Sequence, residues 1–183
     1  MWKLLLRGVV VAGVMACLPF NARAESPRDG SHDFDFASGT WHTHATKVLD
    51  PFDGGTHTVV MDGTKTARPV WNGKAWLEEI EADGPNGHWE AANLFLYDPA
   101  AHQWSQNYVD SSDGRFDGSP GIGELRGARL EFYWQARIGG RAMLERGIWA
   151  DFTPTSHTYR VERSNDGGRT WRPSFIAHLT KIK

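Results

Sequence analysis

Two glutamates in the middle of predicted strands are the residues of this chain whose positions best suit proton transfer. Glu79 and Glu90 each lie in a segment with strand character, away from the flanking turns. A buried carboxyl group has a raised pKa and can exchange protons with a substrate, with a histidine as its partner. Acids on a solvated strand face do no such work, so the orientation of these side chains decides whether enzyme chemistry is possible.

Two histidines in the first predicted strand have the spacing of metal ligands. His42 and His44 are two residues apart and project from the same face of a strand. With a third ligand they would suit zinc or copper. The candidates for that third ligand are His57, Glu79 and Glu90. If Trp41 points inward, however, alternation turns both histidines toward solvent. We therefore predict an exposed or structural pair, and neither a metal nor another cofactor is assigned.

Tryptophan recurs along the whole chain, nearly once for each predicted strand. Of the nine tryptophans, only Trp2 lies in the first 24 residues. An antiparallel sheet that closes around large rings forms a container, and polar groups among the rings would orient a small-molecule ligand. The predicted lumen residues are Trp41, Glu79, Glu90, Asn93, Trp104 and Asn107.

Composition excludes several other classes of function. The only cysteine is Cys17 and the formal net charge is −2, with no run of Lys or Arg. Binding to nucleic acid or to an anionic membrane surface needs clustered positive charge, so neither partner is expected. The chain also lacks a Gly-x-Ser-x-Gly elbow for a nucleophilic serine.

The elements that position these residues are short strands separated by turn signals, with no helical period beyond the leader. Asp62-Gly63 predicts a hairpin between strands at 56–61 and 64–71, and Asn72-Gly73 predicts the next one. About ten strands in meander order favour an all-β, antiparallel up-and-down barrel, which leaves no exposed sheet edge. We assign residues 33–183 to this single domain.

The first residues have the pattern of an export signal. Lys3 and Arg7 precede a short apolar run, and Ala22-Arg23-Ala24 supplies a cleavage site, so we predict a signal peptide at 1–24. Residues 25–32 then form a flexible lead-in. The protein is expected to be periplasmic or secreted, with no transmembrane segment in the mature chain. A second interpretation takes Val14-Met15-Ala16-Cys17 as a lipoprotein box with Cys17 lipidated.

Gly39-Thr40-Trp41 at the start of the first strand resembles the signature of the calycin group, which includes lipocalins, fatty-acid-binding proteins and nitrobindin-like barrels. The resemblance implies that Trp41 plugs one end of the barrel beneath a cation from the final strand. The candidate cations are Arg172, Lys181 and Lys183. Nitrobindin-like barrels take a haem ligand from a late histidine, which would be His178 here. Their opening motif continues with glycines, whereas this chain continues with His42-Thr43-His44-Ala45.

The chain as a whole resembles an uncharacterised bacterial family of exported, Trp-rich, calycin-like proteins. The resemblance covers about nine-tenths of the chain beyond the leader and implies a fold, with no catalytic residues to carry over. Its motifs are Phe34-Asp35-Phe36 with Gly39-Thr40-Trp41, Leu96-Tyr97-Asp98-Pro99 with Gln103-Trp104-Ser105, and the segment from Ser164 to Trp171.

The segment from Ser164 to Trp171 also matches the Asp-box of sialidase propellers. It occurs once, and a propeller needs many more strands than this chain provides. We therefore interpret it as a local device, in which Asp166 accepts backbone N–H groups, glycines permit positive φ, and Trp171 packs under the hairpin.

The sequence thus favours a barrel that binds a small apolar or amphipathic molecule among its rings. The alternatives are a small-molecule enzyme that uses Glu79 and Glu90 with a histidine, and a haem- or metal-binding barrel. The volume and lining of the barrel interior discriminate among them.

Overall fold

The computed structural model describes residues 28–182 except Asp113 and Asp117. The predicted signal peptide and Cys17 lie outside the described residues. Ten strands follow one another in chain order. They are β1 (Gly39–Val48), β2 (Thr58–Val70), β3 (Ala75–Gly84), β4 (Gly87–Asp98), β5 (Gln103–Asp110), β6 (Gly121–Arg126), β7 (Arg129–Ile138), β8 (Arg141–Ala150), β9 (Ser156–Ser164) and β10 (Arg172–Lys181).

The strands form one closed barrel in which each strand pairs antiparallel with its neighbours in sequence. The last strand returns to the first, with Trp41 opposite Lys181 and Ala45 opposite Ala177. This confirms the predicted all-β, antiparallel up-and-down barrel of ten strands. In the described part of the chain, no helix is long and apolar enough to cross a membrane.

The predicted hairpin at Asp62-Gly63 is wrong. Strand β2 runs through both residues, and Met61, Gly63 and Lys65 keep a regular inward alternation. Gly63 is needed for the close approach of β2 to β3 and does not form a turn. A Cβ at Gly63 would lie 1.9 Å from the carbonyl oxygen of Glu81 on β3. Only glycine allows the two backbones to approach this closely.

The second predicted hairpin is confirmed between β2 and β3. Trp71, Asn72 and Gly73 all have positive φ, at 52°, 57° and 84°, and form a short 3₁₀ turn, Trp71–Gly73. Asn tolerates the left-handed region and Gly enters it freely, which explains the Asn-Gly pair. Trp71 is 66% exposed, so this indole lies outside the barrel.

The segment before β1 closes one end of the barrel. A 3₁₀ turn, Asp35–Ala37, places the fully buried Phe34 ring 4.3 Å from Phe95 and 4.9 Å from Trp104, measured between ring centroids. Gly30, within the predicted lead-in, is held from both sides: its N–H donates to the Tyr97 hydroxyl, and its carbonyl accepts from the Trp104 indole. We call this the closed end.

Six of the eight tryptophans in the described residues point inward. Trp41, Trp76, Trp104 and Trp149 are buried, whereas Trp89 and Trp134 are partly buried. Trp171 instead lies against Arg146, whose guanidinium carbon is 4.3 Å from the ring centroid. The four buried indoles lie toward the closed end, so that half of the interior is packed solid.

The predicted cation over Trp41 is Lys181. Its Nζ lies 5.2 Å from the indole centroid, and the Trp41 indole N–H donates to the Ala37 carbonyl at 2.8 Å. Arg172 begins β10 at the opposite end of the barrel, and Lys183 lies outside the described residues. Gly39, the first residue of the motif, has φ 108°, which explains why a glycine precedes the strand.

Phe34 fills the closed end of the barrel like a plug, and replacing it with a small residue should loosen the packing there. We expect Phe34→Ala to lower the free energy of unfolding by about 3–5 kcal/mol, because it leaves a cavity among six aromatic rings. Guanidinium unfolding followed by tryptophan emission measures this loss. Phe116→Ala is the control, since that ring is 67% exposed, and it should change stability by less than about 0.5 kcal/mol. Equal losses in the two variants would contradict the plug.

Candidate functional site

The half of the barrel beyond the buried indoles encloses a cavity of about 480 Å³. Its wall is formed by aliphatic and aromatic side chains, and its mouth lies among the loops that join β1 to β2, β3 to β4 and β5 to β6. The apolar wall residues include Val59, Met61, Ile80, Trp89, Trp134, Val161 and Phe175. We call the mouth the open end and the inner limit of the cavity the floor.

The space exists because small residues occupy inward positions in this half. Ala45 on β1 pairs with Ala177 on β10, and both line the cavity. Ala82 and Gly121 line it from β3 and β6. The rings that fill the closed end have no counterpart at these positions, so the interior volume is left for a guest.

A line of polar side chains crosses four adjacent strands at the floor. Lys65 Nζ on β2 lies 2.9 Å from Glu78 Oε1 on β3. Asn93 Nδ2 on β4 donates to Glu78 Oε2 at 3.3 Å, and Gln106 Nε2 on β5 donates to Asn93 Oδ1 at 2.9 Å. We call these four residues the floor relay. Lys65 is 4% exposed and Glu78 is 2% exposed, so the ion pair is withdrawn from water.

His157 on β9 supports the lysine of the relay from the other side. Its Nε2 lies 3.2 Å from Lys65 Nζ, and its ring packs edge-on against Trp41 at 4.4 Å between centroids. Burial and the adjacent Lys65 charge lower the pKa of His157 to about 3. The imidazole is therefore neutral at pH 7, Nε2 accepts from the lysine, and Nδ1 carries the proton.

A second ion pair lies higher on the wall. Glu145 on β8 receives the Trp134 indole N–H at 2.7 Å on one oxygen and Arg163 Nε on the other. Both carboxylate oxygens are thus occupied, as they are in Glu78. Charge-assisted bonds of this kind hold the carboxylates as structural anions and fix the rotamer of Trp134 at the cavity wall.

Three buried polar atoms near the floor have no hydrogen-bond partner among the described residues. One is His157 Nδ1, and the other two are Gln106 Oε1 and Thr43 Oγ1, in residues that line the cavity and are each 7% exposed. Tyr159 lies opposite, stacked on Trp149 at 4.2 Å between centroids. Burial raises the pKa of Tyr159, so the phenol stays protonated. Buried polar atoms without partners are costly, so a ligand or water is expected there.

The predicted lumen residues divide into three groups. Asn93 lines the cavity, as predicted. Trp41 and Trp104 point inward, but they are packed at the closed end and do not line the cavity. Glu79, Glu90 and Asn107 lie on the outer face, so their placement in the lumen is corrected.

Strand alternation explains this correction. Glu78 shares the face of Trp76 and points inward, and Glu79 therefore points out. Likewise Gln106 shares the inward face of Trp104, whereas Asn107 donates to the Leu94 carbonyl outside the lumen. The inward Trp in each strand was the signal that could have identified Glu78 and Gln106. The acid–base site that required Glu79 and Glu90 to converge with a histidine inside the barrel does not form.

The candidate metal ligands lie on the outer face. His42 and His44 are exposed and approach one carboxylate, with His44 Nδ1 2.7 Å from Asp62 Oδ1 and His42 Nε2 3.7 Å from it. His178 pairs with His44 across β10 and is also exposed, so it cannot ligate a haem within the lumen. Among residues 28–182, apart from the two undescribed aspartates, no group of three potential ligands is arranged to hold a metal ion.

The Asp-box forms the local structure that the sequence predicts. Asp166 accepts the Thr170 backbone N–H at 2.9 Å and the Thr170 hydroxyl at 2.7 Å. These bonds lower the pKa of Asp166 to about 2. Gly167 and Gly168 have φ of 73° and 86°, and the Trp171 indole donates to the Gly168 carbonyl. The box ties the β9–β10 turn together at the open end.

No protein-family model and no curated protein matches this chain. Among solved structures, the S-type phycobiliprotein lyase CPES from Guillardia theta is similar with a TM-score of 0.56 and 9% identity, over 85% of this chain and 94% of that chain. A redesigned β-barrel, mFAP0, bound to DFHBI, has a TM-score of 0.44 and 12% identity, over 80% of this chain and 99% of that chain. The likeness to the lyase is one of fold alone.

The neutral state of His157 makes the barrel sensitive to acid. His157 binds a proton near pH 6.5 in the unfolded chain but only near pH 3 in the folded protein. The contribution of this residue to the free energy of unfolding is therefore complete above pH 6.5 and decreases as the pH falls below that value. We expect this residue to contribute a slope of about 1 kcal/mol per pH unit between pH 6 and 4.5.

Urea unfolding across that pH range measures the slope. His157→Gln keeps an acceptor for Lys65 and should flatten the slope, whereas the same change at the exposed outer-face His178 is the control for histidine removal. An acid slope in His157→Gln as steep as in the wild type would contradict this assignment.

Proposed function

We propose that this protein binds a small amphipathic molecule in its lumen. The observation that carries the proposal is the asymmetric interior: a cavity of about 480 Å³ with an apolar wall, packed shut at one end and open at the other. This volume lies within the usual range for small-molecule sites, roughly 300–1,000 Å³. The buried partnerless atoms near the floor support a ligand with one polar end.

The geometry favours a single orientation of the ligand. An apolar body would lie among Trp89, Trp134 and Phe175, where it gains roughly 25 cal/mol for each Å² of apolar surface removed from water. The polar end would reach the floor, because the two cavity-lining side chains with a buried partnerless atom, Gln106 and Thr43, lie there. The ligand enters head first and its tail lies toward the open end.

We further propose export to the periplasm or the medium and membership of the exported, Trp-rich, calycin-like family. The leader pattern supports export. The family motifs are supported by their roles in the barrel: Phe34 plugs the closed end, Gly39 adopts positive φ, and Tyr97 holds Gly30. The mass of the protein recovered from cells distinguishes cleavage after Ala24 from lipidation at Cys17.

Filling the cavity should abolish binding. Val161→Trp adds a large ring to the cavity wall, whereas Val109→Trp adds the same ring on the outer face; both valines are partly buried. We expect the first variant to bind decan-1-ol at least about tenfold more weakly, since the guest and the new indole compete for one space. The second should bind like the wild type.

Quenching or shift of tryptophan emission reports occupancy, because Trp89 and Trp134 line the cavity. Circular dichroism and thermal unfolding establish that both variants are folded. Equal affinity in the wild type and a folded Val161→Trp would place the ligand outside the lumen and refute the proposal.

A further inference from the structure

The floor relay fixes which end of each amide faces which neighbour. An ionised Glu78 can only accept hydrogen bonds, so the Asn93 group beside it must be its NH₂. The Asn93 oxygen then faces Gln106 and requires a donor, so the Gln106 NH₂ must point toward Asn93. The remaining atom, Gln106 Oε1, is left as a free acceptor. The carboxylate at one end of the relay thus determines the polarity at the other end.

The ionised groups that line the cavity cancel one another. The cations among the described lining residues are Lys47, Lys65 and Arg163, and the anions are Glu78, Asp110 and Glu145. His88 also lines the cavity, and it pairs with Asp83, whose hydrogen bond raises the pKa of the imidazole. Lys65 is paired with Glu78 and Arg163 with Glu145, while His157 is neutral. The floor therefore offers no unpaired charge to a charged ligand.

A charged head group would bind the floor poorly for either sign. A carboxylate would meet the Gln106 oxygen as a second acceptor, and at the Lys65 ammonium it would share one buried cation with Glu78, so that two carboxylates would have a single counter-ion. An ammonium could donate to Gln106 Oε1, but it would lose its hydration without gaining a counter-ion. An uncharged donor can bond to Gln106 Oε1 without needing a counter-ion and without losing the hydration of a charge.

We propose that the preferred ligand is an uncharged amphiphile with a terminal hydroxyl, whose O–H donates to Gln106 Oε1. This inference rests on the proposed function and specifies its ligand class. The hydroxyl oxygen is left with acceptor capacity for a second bond near the floor. Specificity arises from the relay, because a site whose buried acceptor stays unsatisfied discriminates strongly against a ligand lacking the donor.

Four unbranched amphiphiles test the proposal: decan-1-ol, its methyl ether, decanoate and decylammonium. Their chains match, and the ether keeps the oxygen but has no O–H to donate. We expect decan-1-ol to bind about tenfold more tightly than the ether, the value of one hydrogen bond to a buried acceptor, and more tightly than either ion. Titration at pH 7, followed by tryptophan emission and native mass spectrometry, gives the four affinities.

Gln106→Met removes the acceptor and keeps the length of the side chain. The ratio of alcohol to ether affinity should fall to about one in this variant, since both then meet an apolar floor. Asn107→Met removes an amide from the outer face of the same strand and should retain the wild-type ratio. Gln106→Met also loses the hydrogen bond to Asn93. A general change at the floor caused by this loss affects the alcohol and the ether alike, and it therefore cancels in the ratio of their affinities.

The outcomes separate the two proposals. Tightest binding of decanoate or decylammonium, equal binding of alcohol and ether by the wild type, or an unchanged ratio in Gln106→Met would overturn the hydroxyl inference and leave lumen binding intact. Failure of all four compounds to bind would overturn both. If Gln106→Met does not fold, the comparison of alcohol with ether in the wild type still decides the matter.

Discussion

The buried ion pair between Lys65 and Glu78 sets the chemistry of the barrel interior. Withdrawing two charges from water costs several kcal/mol for each ion unless every lone pair and N–H finds a partner. Here the two oxygens of Glu78 accept from Lys65 and Asn93, and two of the three N–H groups of Lys65 are taken by Glu78 and His157. Each of these partners is thereby fixed in orientation, and the constraint passes from β2 and β9 to the free oxygen of Gln106 on β5. The polar character of the floor follows from satisfying one carboxylate.

The distribution of side-chain sizes along the inward faces divides the interior into two halves. Phe34 and the rings around it fill the closed end, with contacts between ring centroids of 4.3–6.5 Å. The inward positions of the other half include Ala45, Ala82, Ala177 and Gly121. A small barrel can be filled completely by its own side chains. This barrel is filled only where the aromatic residues are concentrated, and the ion pair lies between the packed and the open regions.

Much of this architecture could be predicted from the sequence, because turn residues and strand character are local properties. The barrel, the Asn72-Gly73 turn and the Asp-box follow from short-range signals. The cation over Trp41 was implied by the calycin resemblance, which left three candidates, and closure of the barrel selects Lys181. Asp62-Gly63 misled because close approach of a neighbouring strand also demands glycine, and sequence alone does not separate the two causes. The floor relay was missed since its members lie on four strands and meet only after closure. A strict count from each inward indole would have placed Glu78 and Gln106 inside.

Similarity of fold to other barrels leaves the ligand open, since a shared architecture hosts many functions. The residues that distinguish this lumen are those of the relay, and their polarity depends on the charge state of the floor. Protonation of His157 would set two cations 3.2 Å apart beside one carboxylate and remove the acceptor that steadies Lys65. The neutral imidazole therefore helps to hold Lys65, and through it Glu78 and the Asn93 amide, in the arrangement that leaves Gln106 Oε1 facing the cavity.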